Sequence, residues 1–249
     1  MKRYLTYSIL FLASSLFITS CAEDDPIINN DPGTVNFKFN HVVGEVPLQL
    51  NSIIYANDAG NVYSVSTLKY YISNIVLTQV DGTTYAPRSY NLIDAGLGDD
   101  DFSIIDVPQG TYKSISFSVG VDPVANSSGD QQGALDPLNG MFWSWSTGYI
   151  FTKTEGKYLN TPGDETNYLF HIGIDSNRID KTVPVSFTID GNKLTQGVNV
   201  KVDVNKFFNG STTYDFEVDG DVTHTSNFPD RAYKIRQNMK NTFELTLAN

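Results

Sequence analysis

Ser114-Ile115-Ser116-Phe117-Ser118-Val119-Gly120-Val121 alternates apolar and small polar residues without a break. Ile115, Phe117, Val119 and Val121 fall on one side, and Ser116, Ser118 and Gly120 on the other. Successive side chains of an extended chain point to opposite faces, so this period of two predicts a strand with one buried face. The same period recurs in Val35, Phe37 and Phe39, in Val183, Val185, Phe187 and Ile189, in Val198, Val200, Val202 and Val204, and in Phe243, Leu245 and Leu247. Turn signals separate these runs: Asn57-Asp58-Ala59-Gly60, Asp81-Gly82, Pro108-Gln109-Gly110, Asp190-Gly191-Asn192 and Asp219-Gly220. Helical periodicity is confined to short stretches, Ser66 to Tyr71, Asn205 to Asn209 and Arg231 to Asn241. The pattern predicts an all-β chain, an antiparallel β-sandwich or barrel with long functional loops and a few short helices.

The N-terminus reads differently. Lys2 and Arg3 precede an apolar run from Tyr4 to Ile18, which closes in Ile18-Thr19-Ser20-Cys21. The run is too short for a comfortable membrane span of about 20 residues. It has the form of a secretory signal, residues 1–20, ending in a lipobox. Cys21, the sole cysteine, stands where a thiol is acylated and becomes the mature N-terminus. Residues 21–33, rich in Ala, Glu, Asp, Asn, Pro and Gly, read as a solvated tether, and 34–249 as a single domain. An outer-membrane lipoprotein is expected, on the periplasmic face or at the cell surface, held to the membrane through its N-terminal lipid.

The chain has 249 residues and a formal net charge of −11, and losing Lys2 and Arg3 makes it more acidic still. Such a surface disfavours nucleic acid and attracts cations. With no second cysteine there is no disulfide and no thiolate metal site in the processed chain. Stability must come from the core, and 40% hydrophobic with 12% aromatic residues suffices to build one.

Alternation lapses between Asn126 and Asn167. Both tryptophans, Trp143 and Trp145, lie here, two apart, so that on a strand they point the same way. They serve either as packing over a core edge or as a wall beside a ligand. The three histidines, His41, His171 and His224, are spread along the chain with no spacing motif, yet a β-fold can bring distant strands together. Converging neutral imidazoles suit copper, zinc or nickel, and Met141 could add a thioether.

Asp99-Asp100-Asp101 and the alternating Asp215, Glu217, Asp219 and Asp221 offer oxygen ligands for calcium, though without the spacing of an EF-hand loop. Paired tryptophans also suit sugar stacking, so a non-catalytic surface lipoprotein binding carbohydrate or calcium is the alternative. No nucleophile elbow, phosphate loop or HExxH helix is present, and an enzyme is not expected.

Leu68-Lys69-Tyr70-Tyr71-Ile72-Ser73-Asn74-Ile75, Leu92-Ile93-Asp94, Phe117-Ser118-Val119-Gly120-Val121-Asp122, Leu135-Asp136-Pro137, Met141-Phe142-Trp143-Ser144-Trp145, Gly148-Tyr149 and Phe170-His171-Ile172-Gly173 follow in order. This set resembles the MbnP-like domain, a copper-binding family of exported proteins named for a methanobactin-associated member. The resemblance runs from about Val35 to the C-terminus. It implies a β-rich scaffold binding copper outside the cytoplasm, for acquisition, storage or handover at the cell envelope. It implies histidine ligands, and in some relatives a tryptophan oxidised to kynurenine by a partner di-haem protein. Trp143 and Trp145 match the paired tryptophans, and His171 matches the histidine of the His-hydrophobic-Gly motif. Two departures stand out. Asn126-Ser127 replaces an expected Asn-His, removing one possible ligand, and Asp175-Ser176 stands where other members have cysteines. His41 and His224 are the candidates to replace that ligand.

Overall fold

A computed structural model describes residues 29–129, 131–144, 147–225 and 227–248. The signal segment, Cys21, most of the tether and Trp145 lie outside the described residues. The first half runs β1 (Gly33–Val43), β2 (Val46–Pro47), β3 (Tyr55–Ala56), β4 (Val62–Tyr63), β5 (Thr67–Gln79), β6 (Thr84–Tyr85), β7 (Tyr90–Asp94), β8 (Asp101–Val107) and β9 (Gly110–Val119). A one-turn helix α1 (Pro123–Asn126) follows. Then come β10 (Phe142–Ser144), β11 (Gly148–Leu159), β12 (Glu165–Gly173), β13 (Ile179–Ile189), β14 (Thr195–Asp203), β15 (Val222–His224), α2 (Pro229–Met239) and β16 (Phe243–Leu247).

Two sheets face one another. The smaller has the order β16-β14-β1-β2, with β8 also on β1, and the larger follows β13-β9-β5-β11-β12-β15. Val35, Phe37 and Phe39 of β1 and Val198, Val200 and Val202 of β14 are buried against Leu68, Tyr70 and Ile72 of β5, Ile115 and Phe117 of β9, and Phe170 and Ile172 of β12. Aromatic pairs bridge the layers, Tyr70 to Phe243 at 5.7 Å and Phe117 to Phe243 at 6.0 Å between centroids. The alternation read from Ile115 to Val119 is therefore the inward face of a sandwich strand.

Three details differ from the sequence reading. The stretch Ser66 to Tyr71 is not helical: Thr67–Gln79 is a 13-residue strand. Its β-branched and aromatic residues fit a pleated, half-buried surface, and its pairing with β11, β7 and β9 on both edges overrides a local helical period. The sandwich is not wholly antiparallel, since β1 pairs with β14 and β12 with β15 in parallel. The C-terminal helix starts earlier than Arg231, because Pro229 takes the first helical position with Asp230 in the first turn. Ala232, Ile235 and Met239, at spacings of three and four, form its buried stripe.

The outer face of the larger sheet carries a second apolar cluster. Tyr71, Val121, Ala125, Leu135, Met141, Tyr149, Ile150 and Phe151 are buried together there. The segment from α1 to β10 covers them. Asp122 caps α1 by accepting from the amides of Val124 and Ala125. Tyr71 and Tyr149 donate to the carbonyls of Ala134 and Leu135 at 3.0 and 2.7 Å, tying the covering loop to the sheet. The loop ends at β10, whose Phe142 pairs with Tyr149 of β11, and this brings Trp143 to the edge of the cluster.

Candidate metal centre

Beside that cluster, on the same outer face, four basic side chains stand in one row. Lys69 pairs with Lys153, Lys153 with His171, and His171 with His224, across β5, β11, β12 and β15. Phe170 and Ile172 point into the sandwich core, so alternation places His171 on the opposite face. His224 arrives because β15 lies parallel to β12 in the register His171 to His224. The two imidazole centroids are 4.8 Å apart at an interplanar angle of 69°.

Like charges directly opposed destabilise a sheet, and acidic neighbours offset the Lys69–Lys153 pair. Lys69 lies 2.7 Å from Asp94. Glu155 Oε1 lies 2.6 Å from His171 Nε2 and 3.6 Å from Lys153 Nζ. Burial opposes ionisation of Glu155, but the hydrogen bond from His171, the charge of Lys153 and a bond from Thr67 outweigh it and hold the carboxyl below its ordinary range. Burial lowers the pKa of His171, and Lys153 and His224 act in the same sense, against the raising effect of Glu155. Burial thus favours the neutral form of the His171 ring, the form in which an imidazole can ligate a metal.

A cavity of about 460 Å³ opens over the pair, lined by Gly140, Phe142, Trp143, Thr147, Ile150, Lys153, His171 and His224. Trp143 forms its wall and rests on the backbone of Gly173. Thr225 locks the floor. Its hydroxyl accepts from the Gly173 amide at 2.8 Å and donates to the His171 carbonyl at 3.2 Å. Ile174 next to it holds φ +60°, a conformation that costs a β-branched residue energy and is concentrated at functional sites.

The sequence candidates divide. His171, His224 and Trp143 share the cavity. His41 does not join them. Its Nε2 lies 2.9 Å from the Tyr70 hydroxyl, on the core face of the larger sheet, and it lines a different cavity with Asp100. Burial pushes its pKa down to about 4, with Asp100 opposing. Met141 is fully buried in the outer cluster and is not among the residues lining the cavity. Its side chain packs there, as an apolar thioether readily does. Ser127 ends α1, its hydroxyl donating to the Pro123 carbonyl at 2.7 Å, while Asn126 bridges the Tyr149 amide and Asp175.

The acidic run after Tyr214 turns inward on its own backbone. Asp215 Oδ1 accepts from the amides of Glu217 and Val218, and Asp219 Oδ2 from the Asp215 amide and Lys234. Glu217 accepts from the amide and hydroxyl of Thr161. Among the described residues, no three His, Cys, Asp or Glu side chains are grouped to hold a metal.

Glu155, Lys153, Gly173 and Thr225 were not legible in the sequence as site residues. Glu155 carries a faint signal: it lies two positions from Lys153 in a strand, hence on the same face. The family model of MbnP matches residues 32–226. No curated protein matches the chain. Among solved structures, MbnP from Methylosinus trichosporium is similar in fold, with 16% identity and a TM-score of 0.52, over 87% of this chain and 99% of that one.

Proposed function

The chain belongs to the MbnP family, and from that premise we propose that it binds copper outside the cytoplasm through His171 and His224. The observation that carries this reading is the direct opposition of the two imidazoles on adjacent strands, 4.8 Å between centroids, in a cavity walled by Trp143. The donor set fits the ion. Neutral imidazoles suit copper in either common oxidation state and require no thiolate, and the processed chain has none to offer. Copper bound there would supply a redox-active centre next to an indole.

The protein's own residues do the rest. Thr225 holds the two strand ends in register, Gly173 admits the indole, and Trp143 with Phe142 and Ile150 shields one side of the pair from water. The net negative charge of the chain attracts cations to the protein as a whole. Trp143 is the residue on which a partner di-haem protein would act if the tryptophan oxidation known in relatives extends to this chain. Export and acylation at Cys21 complete the reading. They place the domain at the cell envelope, in a role of copper acquisition, storage or handover.

Copper titration of the purified chain tests it, with bound metal measured after desalting and zinc and calcium as controls. One stoichiometric copper, lost in both His171→Ala and His224→Ala, is expected. A folded wild-type chain that retains no copper overturns the reading and turns attention to glycan binding beside Trp143.

A further inference from the structure

We infer that Glu155 is a positioning residue that fixes the tautomer and ring orientation of His171, so that Nδ1 is the atom presented to a metal. The inference rests on the copper reading for its purpose but on geometry for its content. Glu155 lies on β11 two residues beyond Lys153, the direct cross-strand partner of His171. A diagonal neighbour at that offset is within reach of a long side chain, and Oε1 closes to 2.6 Å from Nε2.

An ionised carboxylate only accepts, so the proton of the hydrogen bond is on Nε2. The remaining lone pair of the neutral ring is then on Nδ1, and among the described residues no hydrogen bond reaches that atom. The carboxylate is itself held, because the same oxygen lies 3.6 Å from Lys153 Nζ. A metal-ligating histidine whose second ring nitrogen donates to a carboxylate is oriented and made more basic, and loss of such a partner weakens metal binding by about 10–100-fold. Glu155 instead acting solely as the counter-charge of Lys153 is the competing account.

Nitrogen-15 imidazole NMR of the full chain without copper separates the two. The His171 signals should report the Nε2–H tautomer in wild type and in Lys153→Met, and a mixed tautomer in Glu155→Leu. Copper affinity should fall about 10–100-fold in Glu155→Leu, with partial rescue in Glu155→Gln, which keeps an acceptor oxygen. An Nδ1–H tautomer in the wild-type chain overturns the inference, and so does unchanged copper affinity in Glu155→Leu where His171→Ala loses the metal. If wild type binds no copper at all, the copper reading falls while the tautomer measurement still decides the role of Glu155.

Discussion

Trp143 rests on the backbone of Gly173: a Cβ at position 173 would fall 2.6 Å from Cζ3 of the indole and 2.5 Å from the Tyr149 carbonyl oxygen. Only a residue without a side chain lets the ring close over the cavity there. Gly173→Ala should therefore push Trp143 outward and destabilise the chain by about 1–3 kcal/mol, the usual cost of overpacking. Fluorescence in a Trp145→Phe background, where Trp143 is the sole indole, should shift to the red in the variant. An unshifted emission maximum would show that the ring does not depend on this contact.

Thr225 predicts a second effect on the same floor. Thr225→Val keeps the shape but removes the hydroxyl that links the Gly173 amide and the His171 carbonyl. The Gly173 amide is left buried without its acceptor, at a cost of about 1–3 kcal/mol. Thermal unfolding should register the loss, and amide exchange at Gly173 should accelerate ahead of the core strands.

His41 predicts a pH dependence that has nothing to do with metal. Its folded pKa, about 4, lies below the ordinary 6.5 because burial disfavours the charged ring. Between those values the unfolded chain binds the proton and the folded chain does not. Stability from this group is complete above pH 6.5 and is lost as pH falls toward 4. From pH 7 to 5 the loss should be about 2 kcal/mol, at ~1.4 kcal/mol per pH unit below 6.5. Urea midpoints at the two pH values measure it, and His41→Gln, which keeps a polar partner for Tyr70, should flatten the difference.

Calcium is expected to have no effect on the acidic turn. Asp215, Glu217 and Asp219 already accept from backbone amides, a hydroxyl and Lys234. Millimolar calcium should leave the unfolding temperature unchanged, whereas Asp215→Asn should lower stability by about 1 kcal/mol through weakened turn hydrogen bonds. A clear rise with calcium would show that the carboxylates prefer an ion to their own backbone.

Much of the sandwich was legible because alternation is a local signal. Ile115, Phe117 and Val119 announce their inward face whatever they pair with. His171 was legible through its motif. What the chain could not disclose was which strands become neighbours. The pairing of Lys153 with His171, the diagonal reach of Glu155 and the parallel arrival of His224 all depend on register between distant segments. The same blindness made His41 look equivalent to His224, although strand order puts it on the far side of the sheet. Ser66 to Tyr71 looked helical because a short window cannot see the strands on either edge.

The parallel joining of β12 and β15 also sets an order of events. Thr225 bonds a carbonyl 54 positions earlier, and between the two lie all of β13 and β14. Closing so long a loop is slow compared with forming hairpins. An emerging chain, or one cut short before Val222, therefore possesses the first imidazole without the second. The pair comes into being only as the sandwich finishes assembling, so on the proposed copper reading completeness of the fold is itself the condition for binding. A chain cut short before His224 leaves His171 with no imidazole across the strand pair.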